Sequence, residues 1–118
     1  MDRRALGAAG EDAAARALEG EGWTLLDRNA RTPSGEIDLV LERKGVLGFV
    51  EVKARRSRAA GSPEEAVDAP KAARVARAAG EYLARRGLSS ARTVLLVAAV
   101  DMDPEGRPLA VRILPMDS

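Results

Sequence analysis

The stretch Gly35-Glu36-Ile37-Asp38-Leu39-Val40-Leu41-Glu42-Arg43-Lys44-Gly45-Val46-Leu47-Gly48-Phe49-Val50-Glu51-Val52-Lys53 decides the reading of this chain. Residues 35–42 alternate Glu36, Asp38, Val40 with Ile37, Leu39, Leu41, and residues 47–53 are rich in apolar and β-branched side chains, so both segments are predicted strands. Lys44-Gly45 between them reads as the hairpin turn. Successive side chains of a strand point to opposite faces, which places Glu36 with Asp38, and Glu51 and Lys53 with Leu47 and Phe49. A carboxylate and an ammonium thus emerge from an otherwise apolar strand, next to a strand that carries an Asp.

These residue types have a chemistry in common. A hard divalent cation such as Mg2+ is held by one or two carboxylates, with waters and phosphate oxygens completing its shell. Asp38 and Glu51 supply that pair. The cation polarises a phosphoryl oxygen and acidifies water, and a lysine alongside, here Lys53, positions the water or offsets the charge that builds up during phosphoryl transfer. The plainer alternative is a solvated strand face with a salt-bridged Glu-Val-Lys edge. The apolar run around Glu51 and Lys53 argues against that alternative, because it makes them poor surface residues.

Basic residues cluster beside this centre. Arg55-Arg56-Ser57-Arg58 directly follows the Glu-Val-Lys strand, where a loop contacting phosphates would lie next to the proposed metal. Pro70 starts a helix whose first turns carry Lys71, Arg74 and Arg77. Cations there oppose the helix dipole, and an external anion such as phosphate relieves the conflict. An exposed face balanced by Glu64, Glu65 and Asp68 is the competing account. Among the 19 basic residues all but Lys44, Lys53 and Lys71 are arginines, a bias that a GC-rich genome produces as readily as phosphate binding does.

The remaining elements follow from pattern and punctuation. Residues 4–19 place Leu6, Ala9, Ala13, Ala14, Ala17 and Leu18 at helical spacing, and Gly20 and Gly22 end the helix. Glu11 falls at the border of its apolar face, where it either reaches water or a nearby metal. Residues 23–27 read as a strand and 29–34 as a loop containing Pro33. Ser62-Pro63-Glu64-Glu65 has capping-box spacing and predicts a short helical turn. In the helix from Pro70, Val75, Ala79, Tyr82 and Leu83 form the buried stripe and Gly87 the stop. Residues 93–100 form an apolar run that predicts a strand covered on both faces, and Asp103-Pro104-Glu105-Gly106 turns the chain into a last strand over 109–114.

Composition sets the class. The chain has 118 residues, 46% hydrophobic and 31% charged, which suits one domain over residues 1–118. It contains no cysteine and no histidine, so disulfides, cysteine nucleophiles, histidine bases and the usual zinc sites are excluded, and any metal must be bound by carboxylates. No stretch approaches a membrane span and the N-terminus lacks the pattern of a signal peptide, so a cytoplasmic location without membrane association is expected.

The order helix, three strands, helix, two strands, with Asp38 on the second strand and Glu51-Val52-Lys53 on the third, resembles the restriction-endonuclease-like fold of the PD-(D/E)xK superfamily, archaeal Holliday-junction resolvases included. Gly7 and Glu11, Gly22-Trp23, Arg28-Asn29-Ala30-Arg31, the strand Gly35 to Val40, Phe49 to Lys53, Gly61-x-Pro63 and Lys71 together resemble the YraN family of uncharacterised bacterial proteins. The superfamily's proline before the aspartate is Ile37 here, which removes no chemical participant. The resemblance implies an α/β fold with a mixed central sheet flanked by helices. It implies that Asp38 and Glu51 bind Mg2+ or Mn2+, that Lys53 assists catalysis, and that Glu11 completes the metal site, with Glu36 as a further acidic candidate. It also implies that Arg55, Arg56, Arg58, Lys71 and Arg74 contact nucleic acid. Three functions stay open: a Mg2+-dependent endonuclease acting on DNA, branched or structured DNA included; a nuclease-like module that binds nucleic acid without cutting it and works with a partner in repair, recombination or uptake; and an oligomerisation or adaptor protein, with a homodimer as one arrangement.

Overall fold

Lys44 and Gly45 both take positive φ, 52° and 80°. This is the mirror-image turn whose twist matches antiparallel strands, and it closes the predicted hairpin. The computed structural model describes residues 3–56 and 69–116, and in it the turn joins β2 (Gly35–Arg43) to β3 (Val46–Arg55), paired from Arg43↔Val46 to Leu39↔Val50. The Glu42 carboxylate accepts from Gly45 N–H at 3.0 Å and pins the turn. The helical turn expected at residues 62–65 lies outside the described residues, as do Arg58 and the Gly61-x-Pro63 motif.

One expectation is corrected. Residues 29–34 are not a loop, because β1 runs over Thr24–Thr32 and pairs with β2 to the register Thr32↔Gly35, leaving only Pro33 and Ser34 to turn the chain. Thr32 Oγ donates to Gly35 O at 2.6 Å across that turn, and Gly35 sits at φ 129°, where a side chain is strained. The strand hides in sequence because its register shifts between Leu25 and Asp27 and Asn29 takes a positive φ of 54°. These irregularities break the apolar alternation that identifies a regular strand.

From β3 the chain passes through α2 (Ala69–Arg85) to β4 (Arg92–Met102), which lies parallel to β3. It then turns at Gly106 into the antiparallel β5 (Pro108–Pro115). The strand order is β1-β2-β3-β4-β5. The first helix, α1 (Arg3–Gly20), and α2 take opposite faces of this mixed sheet, because alternate residues of the same strands divide between their two cores. Leu39, Leu41 and Val50 pack with Ala14 and Leu18 of α1, whereas Val40, Leu47 and Phe49 pack with Ala78, Ala79, Tyr82 and Leu83 of α2. The predicted α/β architecture with helices flanking a mixed sheet is therefore the observed one. Phe49 and Tyr82 meet edge to face at 5.6 Å, joining β3 to α2.

Both helices stop where their glycines permit. Gly22 at φ 95° and Gly87 at φ 68° follow α1 and α2. In each case the next amide reaches back across the last turn, Trp23 N–H to Leu18 O at 3.1 Å and Leu88 N–H to Leu83 O at 2.8 Å. Coverage of β4 departs from expectation: residues 97–102 are buried, but Arg92 and Thr93 are exposed and 94–96 half-buried, so the helices shield only its second half.

Candidate metal and phosphate site

The site begins where the sheet opens. Beyond Leu39↔Val50 the strands β2 and β3 have no further registered pair, and Asp38 occupies the fork between them. Val52 N–H, which would otherwise lose its partner on that side, donates to Asp38 Oδ2 at 2.8 Å. Ile37 packs in the α2 core while Leu39 packs in the α1 core, so the strict alternation of β2 breaks next to this fork. Asp38 is thus held by main chain, with its other oxygen left for a different partner.

Glu51 and Lys53 lie on the α2 face of β3, opposite Val97 and Ala99 of β4. Lys53 Nζ is 3.8 Å from Glu51 Oε1, and Arg74 Nη2 of α2 is 3.5 Å from Glu51 Oε2, so the carboxylate has a cation on each side. Burial, and then the charge of Glu51, raise the pKa of Asp38 from 3.8 to about 7, with smaller contributions from Glu11 and Glu36. Burial lowers the pKa of Lys53, and the neighbouring Lys71 lowers it further, against the pull of Glu51. The three residues expected at the centre, Asp38, Glu51 and Lys53, therefore lie within electrostatic reach of one another.

Glu11 and Glu36 stand at the edge of this group. Glu11 pairs with Arg28 Nε at 3.2 Å, and Asn29 Nδ2 donates to Glu11 at 3.2 Å and to Glu36 at 3.1 Å. The carboxylates on both sides fix the orientation of the Asn29 amide, since its oxygen would be repelled there. The left-handed backbone at Asn29 turns this side chain toward them. Arg28 also holds Asp12 at 2.5 Å and Ala8 O at 3.1 Å, tying β1 to α1. Arg28 and Asn29 belong to the Arg28-Asn29-Ala30-Arg31 motif of the family resemblance, but nothing in that polar run assigns them a place at the site.

The helix α2 brings the cations. Arg74 Nη1 reaches Glu36 O at 3.4 Å and lies 2.5 Å from where a Cβ on Gly35 would be, so the guanidinium rests over the glycine. Seven residues along α2, Glu81 accepts from Ser34 N–H at 2.9 Å and from Ser34 Oγ at 2.7 Å, which clamps the β1–β2 turn to the helix. These hydrogen bonds hold the pKa of Glu81 below its usual value. Arg55 is half-buried at the end of β3 and Arg56 is exposed just beyond it.

The donors suit a hard cation held by few protein ligands. Among the described residues no three acidic side chains converge as a ready cage, and Glu11 and Glu36 each accept a hydrogen bond from Asn29. Mg2+ needs as few as two carboxylates, the number that Asp38 and Glu51 offer, with its remaining positions going to waters and phosphate. Their mutual repulsion is also what a cation would relieve. Among the described residues no helix is long and apolar enough to cross a membrane.

The chain matches the model of the uncharacterised protein family UPF0102 over residues 10–102. It is 50% identical over 107 residues to a UPF0102 protein of Symbiobacterium thermophilum, covering 91% of this chain and 90% of that one. A UPF0102 protein of Moorella thermoacetica is 40% identical over 114 residues, 97% of this chain and 95% of the relative. One from Syntrophotalea carbinolica is 52% identical over 86 residues, 73% and 70% of the two chains.

Proposed function

Because the chain belongs to the uncharacterised protein family UPF0102, a name that carries no activity, we propose from the site itself that it is a divalent-cation-dependent endonuclease acting on DNA. The observation that carries this reading is Asp38 in the strand fork, held by Val52 N–H within electrostatic reach of Glu51, with Lys53 3.8 Å from that glutamate. On this reading the chain falls in the PD-(D/E)xK superfamily with the archaeal Holliday-junction resolvases, and branched or structured DNA is within its substrate class.

The work divides among the residues by chemistry. Asp38 and Glu51 hold Mg2+ or Mn2+, and Val52 N–H keeps Asp38 aimed into the site. The bound ion supplies Lewis acidity toward a phosphate oxygen and lowers the pKa of water. Lys53, half-buried and 3.8 Å from Glu51, offers its ammonium to the charge that develops on the phosphate. Lys71 and Arg74 on α2, with Arg55 and Arg56 at the end of β3, grip the flanking phosphates. Glu11 and Glu36, linked through Asn29, keep the negative potential that draws the cation in.

One observation favours the non-cutting alternative. Glu51 is already flanked by Lys53 and Arg74, and Asp38 titrates near neutrality, so the group is close to charge balance without a metal. The two readings part on incubation of the protein with linear, single-stranded and four-way-junction DNA, with and without Mg2+ or Mn2+. Product bands that require the metal and vanish in Asp38→Asn and Glu51→Gln are expected. Binding without products in every metal leaves the nucleic-acid-binding module.

A further inference from the structure

Arg74 makes contacts that are loose for a structural ion pair. Its distances of 3.5 Å to Glu51 Oε2 and 3.4 Å to Glu36 O are at or beyond the limit of a hydrogen bond, and its side chain is 32% exposed. The guanidinium lies over Gly35, where a side chain would push it from its present position. The fork of an arginine fits a carboxylate and a phosphate diester equally well. A carboxylate that binds a divalent cation no longer needs an arginine, and a cation beside it repels one.

We infer that Arg74 is an exchangeable counter-cation, which occupies Glu51 in the free protein and transfers to a nucleic-acid phosphate when a divalent cation takes Glu51. The inference rests on the metal-site reading above and adds its regulation. Arg74 competes with the cation for Glu51, so the free protein binds metal weakly. A phosphate that draws Arg74 away opens Glu51 to the metal, and by linkage the metal frees Arg74 for the phosphate. Cation and nucleic acid then bind better together than either does alone, and the position of Arg74 over Gly35 and beside Glu51 keeps the arginine within reach of both partners.

Calorimetry with Mn2+ on the DNA-free protein, and four-way-junction affinity measured in EDTA and in Ca2+, test the exchange. Arg74→Gln removes the competitor, so it is expected to tighten Mn2+ binding about three- to tenfold while weakening the DNA complex. The gain in DNA affinity on adding Ca2+, of order tenfold in the wild type, is expected to shrink severalfold in the variant, leaving what direct contact between cation and phosphate supplies. Arg74→Lys, which keeps the charge but not the fork, is expected to move both quantities in the same direction by less, and decides the matter if Arg74→Gln does not fold. Unchanged or weaker Mn2+ binding in the variants overturns the exchange and makes Arg74 a fixed strut. Mn2+ binding by neither wild type nor variant overturns the metal site itself. Mn2+ binding with no DNA affinity leaves the metal site standing and removes the phosphate half of the exchange.

Discussion

At Asp38 two demands meet. The open sheet needs an acceptor for Val52 N–H, while burial, and then the surrounding carboxylates, disfavour a negative charge there. A folded-state pKa of about 7 against 3.8 means that the folded protein binds more protons than the unfolded chain between those values. Without metal, stability therefore falls as pH rises through this window and levels off above it, the reverse of the usual paired aspartate. Asp38→Asn keeps an acceptor oxygen and removes the charge. Urea denaturation in EDTA is expected to show no gain for the variant near pH 3.5, a growing gain toward pH 7, and at most roughly 4 kcal/mol above it. With 10 mM Mg2+ at pH 8 the wild type is expected to gain stability and the variant none. At Lys53 the test is kinetic: Lys53→Ala is expected to lower single-turnover cleavage by about 10²–10³-fold with a modest change in DNA affinity, the mark of a group that acts mainly in the transition state. Normal cleavage by that variant leaves the lysine a structural role only.

The position of α1 against the sheet depends on one close approach. A Cβ on Gly10 would stand 2.7 Å from Ala54 Cβ and 3.6 Å from Val52 Cγ1, so α1 lies on β3 only because that position has no side chain. Gly80, exposed within α2, meets nothing within 4 Å. Gly10→Ala is expected to destabilise by about 1–3 kcal/mol through overpacking, and Gly80→Ala to stabilise by about 0.5–1 kcal/mol through helix propensity. Equal effects at the two sites in chemical denaturation contradict this account. The same elements mark what sequence makes legible. Lys44-Gly45, the stripe of α2 and the apolar runs of β2 and β3 obey simple periods, so the fold class and the pairing of Asp38 with Glu51 and Lys53 are readable. The second half of β1 is not, since a register shift and a left-handed Asn29 replace alternation with polar residues. Arg28 and Asn29 stand out in sequence as a motif, but their contacts with Glu11, Asp12 and Glu36 are unreadable for the same reason. Arg74 was visible as a cation on α2, but its place beside Glu51 depends on how α2 is rotated over the sheet, which helical periodicity does not fix for a half-buried residue.

For the whole molecule, 19 basic residues against 18 acidic ones leave a net charge of +1, too little for the overall field to attract nucleic acid. Affinity must come from the arrangement of charge around the site. Base stacking contributes little among the described residues, because Trp23, Phe49 and Tyr82 are all buried. On the proposed reading, phosphate contact by Lys71, Arg74, Arg55 and Arg56 remains, and binding of that kind is tolerant of sequence and sensitive to salt. Three or four such contacts on duplex DNA are expected to give a slope of about −3 to −4 for the logarithm of affinity against the logarithm of salt concentration. Replacing Arg56, exposed and without a role in either core, by alanine is expected to lower affinity for all duplex sequences alike and to reduce that slope by about 1. A fluorescence-anisotropy series from low to moderate salt measures both quantities. An unchanged slope takes Arg56 out of the interface. Binding that ignores salt, or no binding at the lowest salt, removes the nucleic-acid reading and leaves the carboxylates and arginines as the surface of an adaptor, because no contact with phosphates at this site can escape the release of counterions.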